Sequence, residues 1–72
     1  MREQYIIKEI KDEILRRIKN EEELESFNLF EMDHTPEFKS YHHREYLISY
    51  YKIQELNNLL EYIDEVCKWY ME

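Results

Sequence analysis

The sequence predicts an all-α fold, and three observations predict it. Apolar residues recur at spacings of three and four along most of the 72-residue chain, which is the period of helices with one buried stripe. Glycine is absent, and glycine is the residue that tight hairpins and left-handed caps usually require. The single proline lies in Asp33-His34-Thr35-Pro36-Glu37-Phe38, the clearest break signal in the chain. The expected architecture is one domain over residues 1–72. Two N-terminal helices, about 3–19 and 21–31, would precede one long C-terminal helix, about 36–70, packed antiparallel on the first.

The first helix follows from Ile7, Ile10, Ile14 and Ile18, with Ile6 and Leu15 widening the stripe. Asp12 with Arg16 and Glu13 with Arg17 are acid-first pairs four residues apart, the favourable order on a helix. Arg16, Arg17 and Lys19 suit the negative end of a helix dipole.

Asn20 then reads as an N-cap, with Glu23 three positions on as in a capping box. This starts the short second helix, whose apolar face would be Leu24, Phe27 and Phe30, with Leu29 beside it. The alternative, one helix running through Asn20, would carry Glu21, Glu22 and Glu25 against the core.

Thr35 fits an N-cap, Pro36 the first helical position and Glu37 the first turn of the third helix. Its main stripe is Tyr46, Tyr50, Ile53, Leu56, Leu60, Ile63, Cys67 and Tyr70. Leu59, Tyr62, Val66 and Trp69 flank it, and Leu47, Ile48 and Tyr51 broaden the middle. The run Tyr46–Ile53 is also rich in strand formers, though it lacks strict alternation. A helix of this length would span roughly 50 Å, about twice the first helix. Either it breaks, at Ser40 or at Asn57-Asn58, or its uncovered stripe pairs with a second copy. A homodimer is the expectation, because so short a chain buries only roughly 60% of its unfolded surface.

Charge is segregated. Residues 1–20 carry six Lys/Arg and four Asp/Glu, whereas residues 21–38 carry seven acids and no base. The net charge is −7, so that one block supplies about as much as the whole. Cys67 is the only cysteine, which precludes an internal disulfide and suits a reducing cytoplasm. No signal peptide or membrane span is read from the sequence.

Chemical motifs are few. Glycine-rich phosphate loops are excluded by composition. His34, His42 and His43 lie near Asp33, Glu37 and Glu45, and His42 with Glu45 shares a helix face suited to a divalent ion. There is no second such pair, so no metal and no cofactor is expected, and solvated histidines are the expectation. Cys67 falls on the apolar stripe and reads as a buried small hydrophobe, not a nucleophile. The only basic cluster, Arg16, Arg17 and Lys19, runs at once into the acidic block, which disfavours direct nucleic-acid contact.

Gln54-Glu55-Leu56-Asn57, followed by Leu59-Leu60 and Tyr62, resembles the Gln-Glu-Leu-Asp stretch of small two-helix aspartyl-phosphate phosphatases that regulate sporulation. The likeness covers about ten residues. Where that family has its serine this chain has Ile53, and where it has its key aspartate this chain has Asn57. The activity therefore does not carry over.

The expected function is binding without catalysis. The chain reads as a small acidic inhibitor or adaptor of the kind phages encode, a nucleic-acid mimic docking on a basic surface of a larger protein. Glu21, Glu22, Glu23, Glu25, Glu31, Asp33 and Glu37 would supply the field. Tyr41, Tyr51 and Trp69 would be anchors, since large amphipathic rings are enriched in interfaces. A structural protein acting through helix self-association is the second expectation, and a metal-binding or phosphatase-like regulator the third.

Overall fold

The structure, a computed structural model, describes Arg2–Tyr70, the last of these by its backbone alone. It is a helical hairpin. Helix α1 spans Arg2–His34, a 3-10 turn covers Pro36–Phe38, and helix α2 spans Lys39–Tyr70. No strand occurs among the described residues, and Tyr46–Ile53 lies within α2.

The expected break at Asn20 does not occur. Asn20 is an exposed residue inside α1, and the two predicted N-terminal helices are one. The seam between the helices explains why. On α1 the residues turned toward α2 are Ile7, Lys11, Ile14, Ile18, Glu21, Glu25, Asn28 and Met32, alternating by four and three. This is a heptad stripe in which polar residues occupy apolar positions. Glu21 and Glu25 are indeed on the inner face, but they are only half-buried. A hairpin one helix thick leaves seam carboxylates a path to water, so the objection to a continuous helix fails. Glu21 stands 3.7 Å from Lys52 Nζ across the seam.

Helix α2 is likewise unbroken at Ser40 and at Asn57-Asn58. The two helices, of 33 and 32 residues, match in length, so α1 covers α2 from end to end. Lys11 pairs with Asp64, Glu21 with Lys52 and Asn28 with His42; the paired numbers run in opposite directions, so the helices are antiparallel. The α2 side of the seam is His42, Tyr46, Ser49, Ile53, Leu56, Leu60, Ile63 and Cys67. Ser49 is buried and Tyr50 exposed, which exchanges one position of the predicted stripe. The predicted place of Tyr70 on that stripe lies outside the described side chains.

The turn is closed differently from the sequence reading. Thr35 makes no forward side-chain cap. Its hydroxyl donates back to the Glu31 carbonyl at 2.7 Å, which satisfies one of the last carbonyls of α1. The Phe38 amide then donates to the Thr35 carbonyl at 3.0 Å. Pro36 opens the 3-10 turn, where its missing N–H is no loss.

The core is thin. Ile14 and Ile18, 5% and 7% exposed, are the buried apolar side chains among the described residues. The radius of gyration is 16.4 Å, in a body of 54 × 17 × 11 Å, against roughly 11 Å for a compact chain of this length.

Candidate functional site

Two surfaces are candidates, and the heptad frame defines both. The positions just before each seam residue form one broad face of the hairpin, and those just after form the other. On the first face α1 brings Ile6, Ile10, Leu24 and Phe27, and α2 brings Tyr41, Ile48, Leu59, Tyr62, Val66 and Trp69. All are exposed except Val66, which is half-buried. On the opposite face the apolar residues are Leu15, Leu29, Leu47 and Tyr50, set among Lys8, Asp12, Lys19, Glu22, Glu61 and Asp64. The first side is therefore the more aromatic and apolar, although it also carries Glu13, Arg17, Glu31, Glu45, Lys52 and Glu55, and the second is the more charged.

The apolar side is not uniform. Near the helix ends an open groove of about 250 Å³ is lined by Ile7, Ile10, Tyr62, Ile63, Val66 and Cys67. Cys67 is half-buried there. At mid-length a second groove is lined by Arg17, Asn20, Glu21, Lys52, Glu55, Leu56 and Leu59, a polar belt across the face. Toward the turn Phe27 meets His42 edge-on at 6.2 Å between ring centroids, and Tyr41 meets His42 edge-on at 5.2 Å.

Leu24, Phe27, Leu29 and Phe30, predicted as the core face of a second helix, are all exposed. The seam passes through Glu21, Glu25 and Asn28 instead, which turns those four side chains outward. Phe30 stacks on His34 at 3.8 Å, and His34 Nδ1 donates to the Phe30 carbonyl at 2.8 Å.

The acidic block is divided by the same geometry. Glu21 and Glu25 lie in the seam, and Glu31 is half-buried beside Thr35, whose hydroxyl is 3.2 Å from its carboxylate. Glu22, Glu23, Asp33 and Glu37 are exposed. The seven carboxylates wrap around the helix and do not form one row. The charge is nonetheless polarised along the rod. Residues 21–52, the half nearer the turn, hold eight acids and three bases, so −5 of the net −7 resides there. Of the aromatic candidates, Tyr41, Tyr51 and Trp69 are all exposed, Trp69 at 81%.

Sequence reasoning missed the polar end of the seam. Asn28 Nδ2 donates to the Leu24 carbonyl at 2.9 Å, and its Oδ1 accepts from His42 Nδ1 at 2.9 Å. With Ser49 buried two turns away along α2, this half of the interface is hydrogen-bonded where the other is mainly apolar. The signal was present: extending the Ile7–Ile18 stripe by fours and threes lands on Glu21, Glu25 and Asn28. His42 is thus a seam residue. No group of three or more His, Cys, Asp or Glu is placed to hold a metal among the described residues.

Charged contacts in the other half run along α1, apart from the Lys11–Asp64 pair that crosses to α2. Glu13 accepts two bonds from Arg16, at 2.6 and 2.9 Å, and one from Arg17 at 3.1 Å. The two Arg16 bonds, then the single Arg17 bond, hold its carboxyl down at about 2. Asp12, expected to pair with Arg16, instead accepts from Lys8 at 3.1 Å. The hydrogen bond and charge of Asp64 raise the Lys11 ammonium above its usual range.

No helix among the described residues is long and apolar enough to cross a membrane. In the phosphatase-like stretch Ile53 is half-buried in the seam and Asn57 is exposed on the charged side. Compared with known protein families, curated proteins and solved structures, the chain matches none of them.

Proposed function

We propose that this is a non-enzymatic interaction protein, a small acidic inhibitor or adaptor that self-associates and docks the turn half of its hairpin on a basic surface of a larger protein. The observation that carries the reading is the polarised charge: −5 of the net −7 sits in residues 21–52. An uncompensated field of this kind steers association with a positive partner and makes it salt-sensitive. The exposed carboxylates Glu22, Glu23, Asp33 and Glu37 would meet the partner, with Tyr51 as a nearby aromatic contact. A groove that ordinarily holds nucleic acid fits such a surface, and the site of action is then the cytoplasm.

A second reading, a structural protein whose whole activity is self-association, is favoured by a different observation. Sixteen large apolar or aromatic side chains are exposed among the described residues of this small hairpin. The two readings separate in one experiment. The tagged protein is used to capture partners from a cell lysate at low and high salt, beside a variant with Glu22, Glu23, Asp33 and Glu37 all changed to Lys. Capture that is lost at high salt, lost in the variant and competed by duplex DNA supports the acidic adaptor. Capture that survives charge reversal, or none at any salt, moves the assignment to the structural reading.

A further inference from the structure

We infer that the aromatic–apolar face is closed by a second copy of the same chain, laid antiparallel, so that the turn of each hairpin lies against the helix ends of the other in a four-helix bundle. This deepens the self-association half of the reading above and rests on it. Three observations converge on a second copy and on its direction.

The first is area. A folded chain of 9.2 kDa exposes about 4,900 Å² when it closes its own core. This hairpin exposes 6228 Å². The excess, on the order of 1,300 Å², exceeds the roughly 800 Å² that each partner contributes to a standard stable interface. Two helices make a single layer, and a helical core needs a second layer to exclude water from it. The apolar face supplies that missing contact, and the charged face does not.

The second is self-complementarity. The face has apolar ends, with Ile10 and Tyr62 toward the helix termini and Phe27 and Ile48 toward the turn. Between them lies the belt of Arg17, Asn20, Lys52 and Glu55. A two-fold axis through that belt lays each apolar end on the other's and sets belt against belt. The same patch then serves on both copies, as an isologous interface demands. The belt offers both signs of charge, so opposite charges can meet across the axis.

The third is direction. A parallel pair would place two turn halves of charge −5 side by side. The antiparallel pair sets each against the helix-end half, whose net charge is only −2, the remainder of −7 after the −5 of residues 21–52. At the few-ångström to ten-ångström separations within a bundle such charges are not fully screened.

The test uses the full chain with Cys67→Ser and a spin label at Lys68→Cys, an exposed position on the charged side. Sedimentation velocity establishes the assembly, and pulsed electron resonance then reads the label separation within it. Antiparallel copies put the labels on the order of 40 Å apart, because each is about 14 residues along α2 from the axis. Parallel copies put them on the order of 20–25 Å apart, across the thickness of two packed layers, and that result overturns the inference. Tyr62→Glu should raise the dissociation constant at least 100-fold, whereas Leu15→Glu on the charged face should leave it within about threefold. The reverse pattern would place the interface on the other side and overturn the assignment. A helical monomer at hundreds of micromolar sinks self-association itself, independently of whether the acidic turn half captures a basic partner.

Discussion

The half of the hairpin that holds the helix ends and the half that holds the turn are joined by one continuous seam, yet different chemistry fills it. Toward the ends, Ile7, Ile14 and Ile18 face Ile53, Leu56, Leu60 and Ile63. Toward the turn, Glu21, Glu25 and Asn28 face His42, Ser49 and Lys52. The first set gains from removing apolar area from water, at about 25 cal/mol per Å². The second gains little from burial and must satisfy every polar group it covers. It does so: no buried side-chain nitrogen or oxygen lacks a partner among the described residues. The difference teaches a division of labour. The apolar half supplies stability, and the polar half fixes register, because Asn28 and His42 can meet in only one alignment of the helices. The covalent turn compensates for the weaker half by keeping its helices adjacent.

The largest expected effect is in the apolar half. Ile18→Ala removes a nearly buried side chain and should cost about 2–4 kcal/mol. In a chain with so thin a core that is a large share of the total. Urea titration followed by circular dichroism measures it. A loss below about 1 kcal/mol would mean that this half does not carry the fold. Ile10→Ala, exposed at a flanking position, should cost far less to the isolated hairpin and should weaken any dimer instead.

The next effect sharpens the polar half. His42→Ala leaves the side-chain Oδ1 of Asn28 without its donor and should cost about 1–2 kcal/mol. Replacing both partners, with Asn28→Leu and His42→Leu, should restore or raise stability. The same double change should broaden register and association state, seen as polydispersity in sedimentation, because the unique polar pair is gone. A destabilised but monodisperse double variant would contradict the register role.

This division also explains which parts of the structure were legible in the sequence. The all-α class, the turn at Thr35-Pro36 and the apolar seam were readable because Ile, Leu and Pro act through strong local rules. A break at Asn20 has good local chemistry behind it, since Asn20 and Glu23 satisfy the capping pattern. The capping signal lost to the cost of interrupting a helix whose next turns are hydrogen-bonded and paired across the seam by Lys52 and His42. Those partners lie 31 and 14 residues away from Glu21 and Asn28, and no local rule reports them. The apolar face was half visible. The spacing of Leu59, Tyr62, Val66 and Trp69 marks them as a flank of α2, whereas Leu24 and Phe27 look like a core face only if the register of α1 restarts at Asn20. For the acidic block, charge was legible and orientation was not.

A smaller effect tests the junction between the halves. Glu21→Gln removes the carboxylate that faces Lys52 at 3.7 Å. Lys52 is more than half exposed, so the pair should be worth less than about 1 kcal/mol. The loss should vanish in half-molar salt, where screening reaches only a few ångströms. Thermal melts of the two forms at low and high salt give the comparison. A salt-independent loss would show that Glu21 acts by packing.

The smallest expected effect is a pH signature confined to the apolar half. Glu13 has its carboxyl lowered from 4.5 to about 2 by Arg16 and Arg17. A carboxyl with a depressed folded value binds its proton more readily when unfolded, so its contribution is complete above 4.5 and is lost as pH falls toward 2. The group is fully exposed, so the change in stability is small and is read best at the site itself. A carbon-detected titration of the Glu13 carboxyl should show a midpoint well below that of the ordinary glutamates, moving upward in Arg16→Gln and less in Arg17→Gln, since Arg16 makes the larger contribution. An unchanged midpoint in Arg16→Gln would show that the fork of bonds drawn from Arg16 is not what holds the proton off, and that the basic run on α1 acts only as a diffuse field.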